Sequence, residues 1–189
     1  MKVKLGDIAQ LQFGFYSKSE EGGNAVYLQA KHFDDWGKQS YNIDTFISIN
    51  KKNEAHLLEE GDILLVGKGL RNFAWVYQRA VGPAIASSIF FVIKPDRQKA
   101  LPEFLNIVFN SPQIQSYFQT LGAGSSIPSI RKSELEALPL TLPPVEVQRK
   151  TIEISRIHDQ DMELSRRIME EKQKLYQAIT HNLIFNYHG

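Results

Sequence analysis

Residues 152–183 read IEISRIHDQDMELSRRIMEEKQKLYQAITHNL, and this stretch decides the fold. Every seventh residue from Ile154 gives Ile154, Asp161, Ile168, Leu175 and Asn182, and the interleaved series is Ile157, Leu164, Glu171 and Ala178. The two series form a heptad seam interrupted by Asp161, Glu171 and Asn182. Neither Pro nor Gly occurs between Pro144 and Gly189, and Pro144 sits where proline is tolerated, in the first turn of a helix. The spacing predicts one long helix from Pro144 to about Leu183. At ~1.5 Å of rise per residue it reaches roughly 50 to 60 Å, longer than a domain of this size is wide.

One reading folds this helix back on its own domain. Against it, Arg156, Glu163, Arg166, Arg167, Glu170, Lys172 and Lys174 leave an apolar stripe too narrow for a core-facing helix. A narrow seam suits a pair of helices, and propensity alone stabilises an isolated helix little. The expected dimer interface is therefore Ile154, Ile157, Asp161, Leu164, Ile168, Leu175 and Ala178, its polar members favouring one register at some loss of stability. The chain divides on this reading into a globular domain, 1–143, and a dimerisation or spacer helix, 144–189.

A length of 189 residues leaves room for one ordinary domain besides the helix, and 42% hydrophobic with 23% charged residues is a globular composition. Absence of cysteine excludes disulfides, cysteine-bound zinc and thiol nucleophiles. The start, Met1-Lys2-Val3-Lys4-Leu5-Gly6-Asp7, lacks the apolar run of a signal peptide, and no apolar run elsewhere approaches membrane-spanning length, so a cytoplasmic protein away from membranes is expected. Net charge is +1, which selects no partner. Its distribution is more informative: no acid falls between Asp62 and Asp96, where Lys68, Arg71, Arg79 and Lys94 lie. None falls between Glu103 and Glu134 either, where Arg131 and Lys132 lie.

Ahead of the helix, strands are expected at Gln10–Phe13, Ala25–Gln29, Asn42–Ser48, Ile63–Val66, Phe73–Tyr77 and Ile89–Ile93. Turns at Glu21-Gly22-Gly23-Asn24, Trp36-Gly37-Lys38, Glu60-Gly61-Asp62 and Val81-Gly82-Pro83 separate them. Short helices are expected from Pro102, from Pro112 to an end at Gly122, and from an N-cap at Ser133, with a brief extended segment at Leu138–Leu142. The fold class is α+β: a mixed or antiparallel, barrel-like sheet with short helices, then one long C-terminal coiled-coil helix.

Catalytic patterns fail on the residues. Gly67-Lys68-Gly69 lacks the earlier Gly and the following Ser or Thr of a phosphate loop. His32, His56, His158, His181 and His188 never fall at metal-ligand spacing, and Glu170 with Lys172, a nuclease-like spacing, lies on the charged face of the helix. No Gly-rich cofactor loop and no Asn-Pro-Pro or Asp-Pro-Pro motif occurs. A non-catalytic chain without cofactor or metal is expected. Recognition remains: Lys68, Arg71 and Asn72, then Gln78 and Arg79, flank Phe73, Trp75 and Tyr77. Arg and Lys neutralise phosphates or pair with guanine, and Asn and Gln pair with adenine. Equally, the aromatics can form one face of a strand and the charges solvate a turn. Ser125 and Ser126, in a small polar loop, together with Arg131 complete the candidate DNA-binding set, an ordinary linker being the alternative for the loop.

Four stretches resemble a known family. They are Lys4-Leu5-Gly6-Asp7-Ile8-Ala9, Gly61-Asp62-Ile63-Leu64-Leu65-Val66, Gly82-Pro83-Ala84-Ile85-Ala86-Ser87-Ser88, and Leu138-Pro139-Leu140-Thr141-Leu142-Pro143-Pro144-Val145-Glu146-Val147-Gln148-Arg149-Lys150. In order and spacing they are similar to half of a type I restriction-modification specificity subunit, with one target recognition domain and one helix where the full subunit has two of each. The resemblance implies a body that reads double-stranded DNA and helices that pair antiparallel to set the distance between half-sites. It also implies methyltransferase subunits that dock on the helices and supply the S-adenosylmethionine chemistry, and it allows a restriction subunit as a further partner. The chain departs from the family at Val147, where a glutamate usually precedes the glutamine. Two copies pairing through the seam would read an interrupted palindrome. The alternative is a dimeric DNA-binding repressor or scaffold without a methyltransferase partner, and a third is a fragment of a larger fused enzyme.

Overall fold

The computed structural model describes residues 1–34, 37–39, 43–69, 71–121 and 128–185. Its strands are β1 (Lys2–Lys4), β2 (Ala9–Phe13), β3 (Ala25–Leu28), β4 (Phe46–Ile47), β5 (Ile63–Val66), β6 (Ala74–Val76), β7 (Ala84–Ala86), β8 (Phe90–Pro95) and β9 (Pro139–Thr141). Its helices are α1 (Pro102–Phe109), α2 (Pro112–Leu121), α3 (Lys132–Glu136) and α4 (Val145–Phe185). The chain divides into two units, Met1–Arg149 and Lys150–Gly189.

In the first unit β5 is the central strand. It is a run of four apolar residues, Ile63 to Val66, all buried, because it lies between β8 and β6 in an antiparallel sheet of order β2-β8-β5-β6. A second sheet, β4-β3-β7, pairs β3 with β7 in parallel, Val26 opposite Ala84, across the long connection that parallel pairing requires. Side chains from the two sheets meet in one core, with Leu28, Ala84 and Ala86 against Leu64, Val66, Phe90 and Val92. β1 pairs antiparallel with β9, and the Met1 amino group donates to the Leu142 carbonyl at 2.9 Å, so the start of the chain is fastened just ahead of α4.

The α+β class and the mixed sheet agree with the sequence reading, but among the described residues the sheets stay open and the barrel-like closure does not occur. Their edges are satisfied by other means. Asn110 serves β6 as a surrogate strand: its Oδ1 accepts from the Ala74 N–H and its Nδ2 donates to the Ala74 carbonyl, both at 2.9 Å. At β7 the edge meets the bridge Leu57–Ile85, the Leu58 N–H, which donates to the Ala84 carbonyl at 2.9 Å, and the Phe15 N–H, which donates to the Ala86 carbonyl at 2.8 Å.

Other differences are local. The strand expected over Asn42–Ser48 shortens to Phe46–Ile47, with Asn42 outside the described residues. β1 and β7 are three-residue strands that the residue pattern did not mark. α3 begins at Lys132, so the cap is Arg131 rather than Ser133, and the Glu134 carboxylate accepts from the Arg131 N–H at 2.8 Å. Gly122, the expected end of α2, lies outside the described residues.

α4 runs 41 residues, or roughly 60 Å. Its first turn is held by Gln148, which is fully buried. The Gln148 Oε1 accepts from the Leu101 N–H, and its Nε2 donates to the Lys99 and Pro143 carbonyls, all at 2.9 Å. In the second unit, opposite charges three or four residues apart line the helix surface: Glu163 with Arg166, Arg166 with Glu170, and Glu171 with Lys174. No helix among the described residues is long and apolar enough to cross a membrane.

Candidate nucleic-acid interface

The turn that follows β5 carries Gly67, Lys68 and Gly69. Gly67 passes so close to Phe91 that a Cβ there would stand 2.4 Å from the ring, so only glycine fits. Its carbonyl accepts from the Ile130 N–H at 2.9 Å, Lys68 bridges Ser129, and the Gly69 N–H donates to the Pro128 carbonyl at 2.9 Å. Gly69 adopts φ +113°, a conformation open to glycine. These bonds fasten residues 128–130 onto the continuation of β5, which places Arg131 and Lys132 beside Lys68.

Lys68 lies where two concavities adjoin. One, of about 350 Å³, takes Phe13, Phe91 and Ile130 together with Lys68, Arg131 and Lys132. The other, of about 340 Å³, takes Phe33, Asp34 and Phe73 together with Lys68 and Arg71. Lys68 and Arg71 thus share one surface with Arg131, sixty positions on from Arg71. Arg71 and Arg131 are exposed. Asn72 is half-buried and its Nδ2 donates to the Val66 carbonyl at 2.8 Å, closing the turn after β5. That bond occupies one of the two amide N–H groups; a paired contact to adenine needs one N–H and the Oδ1 acceptor.

Gln78 and Arg79 belong elsewhere. β5 and β6 are antiparallel, with Ile63 opposite Val76, so residues after β6 fall beside the start of β5, a strand length of ~13 Å from Lys68. There the Arg79 N–H donates to the Glu60 carboxylate. Close by, the buried Asp62 carboxylate accepts from the Glu59 N–H and from Lys94 Nζ, both at 2.9 Å. Burial pushes the Asp62 carboxyl above its usual range despite these bonds. Lys94 also bonds Glu59 at 3.2 Å, so it belongs to this acidic end.

The aromatics of β6 and its flanks are core. Phe73 and Trp75 pack on Phe33, with centroids at 5.2 and 5.3 Å, and buried Tyr77 donates its hydroxyl to the Gly82 carbonyl at 2.6 Å. They share one strand face and pack against the core. Ser125 and Ser126 lie outside the described residues. Sequence reasoning passed over Phe13 and left Lys132 unranked. The acid-free stretch around Lys132 was a usable signal, whereas Phe13 gave none, because its partners Phe91 and Ile130 are remote in sequence.

The second unit carries a different surface. Along the seam Ile154 is 68%, Ile157 54%, Leu164 56%, Ile168 47% and Leu175 61% exposed, an uncovered apolar row at heptad spacing. Asp161 and Ala178 occupy the same row and are exposed as well.

A sequence model of the family described as the type I restriction modification DNA specificity domain matches residues 1–172. The type I restriction enzyme HindI specificity subunit of Haemophilus influenzae is 30% identical over 97 residues, which is 50% of this chain and 21% of that protein. Among solved structures, the HsdS subunit from Thermoanaerobacter tengcongensis superposes with a TM-score of 0.65 at 19% identity, over 96% of this chain and 44% of that one. The type I restriction-modification system S subunit from M. genitalium gives 0.62 at 14% identity, over 97% and 45%. At such identity the superpositions establish the fold. The chain spans 21% of the curated relative and less than half of each of these solved chains. With the family's own pattern matched over most of its length, from the β1 end into α4, this chain belongs to the type I restriction-modification DNA specificity family.

Proposed function

We propose that this chain is a non-catalytic DNA-recognition subunit of a type I restriction-modification system, acting as a half-subunit in the cytoplasm. Two copies pair their α4 helices antiparallel along Ile154, Ile157, Asp161, Leu164, Ile168, Leu175 and Ala178. The two recognition domains of the pair read an interrupted palindrome, and the paired helices dock methyltransferase subunits, with which a restriction subunit associates. Within each domain, Lys68, Arg71 and Arg131 meet phosphates or base edges. Gln78 and Arg79, beside Glu60, are peripheral to that contact.

The observation that carries this reading is the uncovered heptad row on α4, in a chain whose first unit gathers Lys68, Arg71 and Arg131 on one surface. An apolar row of this kind is stabilised by removal from water, at about 25 cal/mol per Å² of buried apolar area. A second copy supplies an identical row, and a two-fold pair reads a two-fold target. Light scattering on the purified chain tests the pairing: a mass of twice 21.6 kDa is expected. A monomer at micromolar concentration, or a stable complex only with a different recognition chain, would overturn the homodimer. Selection from a random duplex library tests the reading of DNA. Enrichment of an interrupted palindrome is expected, and no enrichment would move the chain to a scaffold role.

A further inference from the structure

Phe13 ends β2 with 51% of its surface exposed, although its ring lies on buried Phe91 with centroids 5.0 Å apart and planes tilted by 36°. It forms one wall of the 350 Å³ concavity whose rim carries Lys68, Arg131 and Lys132 and whose lining, among the described residues, includes no acid. Lys68 and Arg131 have no ion pair among the described residues. Lys132 pairs with Glu136 at 3.5 Å, an exposed i,i+4 pair that contributes little. A half-exposed ring held rigid by a second ring, with cations around it, has the make-up of a stacking platform: the ring takes the face of a base and the cations take its flanking phosphates. Bases inside a duplex have both faces covered by their neighbours, so the face offered to Phe13 must come from a base that has left the stack.

We infer that Phe13, Lys68, Arg131 and Lys132 form a site for one unpaired nucleobase and its adjoining phosphates. The inference rests on the nucleic-acid reading of this surface and adds to it a ligand class and a residue, Phe13. The site lets the domain hold a strand locally opened within its target, where stacking on a protein ring offsets part of the cost of unstacking.

The test is fluorescence anisotropy of a short labelled oligothymidylate with the full chain, alongside a labelled duplex of arbitrary sequence. Wild type is expected to bind the oligothymidylate, Phe13→Leu and Phe13→Ala to bind it roughly tenfold more weakly, and Phe13→Trp to retain binding. Phe13→Leu preserves apolar packing on Phe91, so an unchanged melting temperature separates lost stacking from lost folding. Equal affinity of wild type and Phe13→Leu for the oligothymidylate overturns the site, and so does a wild type that binds the duplex alone. In either case duplex binding that depends on Lys68 leaves the specificity reading standing. Failure to bind either probe removes both.

Discussion

Gln148 shows how a single side chain fastens the first turn of α4 to Lys99, Leu101 and Pro143. Its amide satisfies one backbone N–H and two carbonyls where no water reaches. Gln148→Leu keeps the volume but leaves those three groups unpaired, and a loss of roughly 2–4 kcal/mol is expected from urea denaturation followed by circular dichroism. A loss below about 0.5 kcal/mol would show that the three groups find other partners. On the DNA side, Lys68→Ala and Arg71→Ala are each expected to reduce the slope of log affinity against log salt by about one. Arg79→Ala should leave that slope unchanged, because Arg79 sits at the opposite end of β6 beside Glu60. A slope lowered equally by all three would return Arg79 to the interface.

At the scale of elements, the seam and the loops respond to different tests. Leu175→Glu and Ile168→Asp put charge into an apolar row, and both are expected to convert a dimer to monomer in light scattering while the recognition domain melts as before. A dimer that survives both changes would place the interface elsewhere. The segment around β4 should carry an acid-sensitive contact. Asp44 accepts hydrogen bonds from Lys31, Thr45 and His32, which hold its carboxyl well below the usual carboxylate range. A depressed folded value means its contribution is present above the unfolded carboxylate range, near pH 4, and is lost as pH falls below it. Since Asp44 is exposed, the effect is modest. Asp62 acts in the opposite sense: burial raises its carboxyl, so stability declines as pH rises from the unfolded carboxylate value through the folded one. Asp44→Asn is expected to flatten the acid limb of a melting-temperature profile between about pH 5 and pH 2; an unchanged limb would assign acid sensitivity to other groups.

Legibility followed the same division. β5 was legible because four consecutive apolar residues are bounded by turn signals, and α4 because a seven-residue spacing persists without proline or glycine. β1 and β7 were not, since strands of three residues, one of them Ala-Ile-Ala, have too little intrinsic preference and form through their partners. The candidate site was half legible. Acid-free stretches pointed to Lys68, Arg71 and Arg131, but the bonds Gly67–Ile130 and Gly69–Pro128 that gather them span 63 and 59 positions of chain. No local pattern encodes such a junction, and none told that Phe73, Trp75 and Tyr77 face inward while Phe13 faces out.

On the scale of the whole molecule, the proposed pairing of two copies through α4 makes a symmetric reader by duplication. A symmetric reader requires a symmetric target, with the same half-site at each end and a fixed spacer between. The most direct measurement is methylome sequencing of cells that express this chain together with its cognate methyltransferase subunit. The account predicts new methylation of an interrupted palindrome on both strands, absent when Lys68→Ala and Arg71→Ala are combined. A split asymmetric motif would contradict the homodimer, and no new methylation from soluble, co-purifying proteins would contradict the specificity role itself.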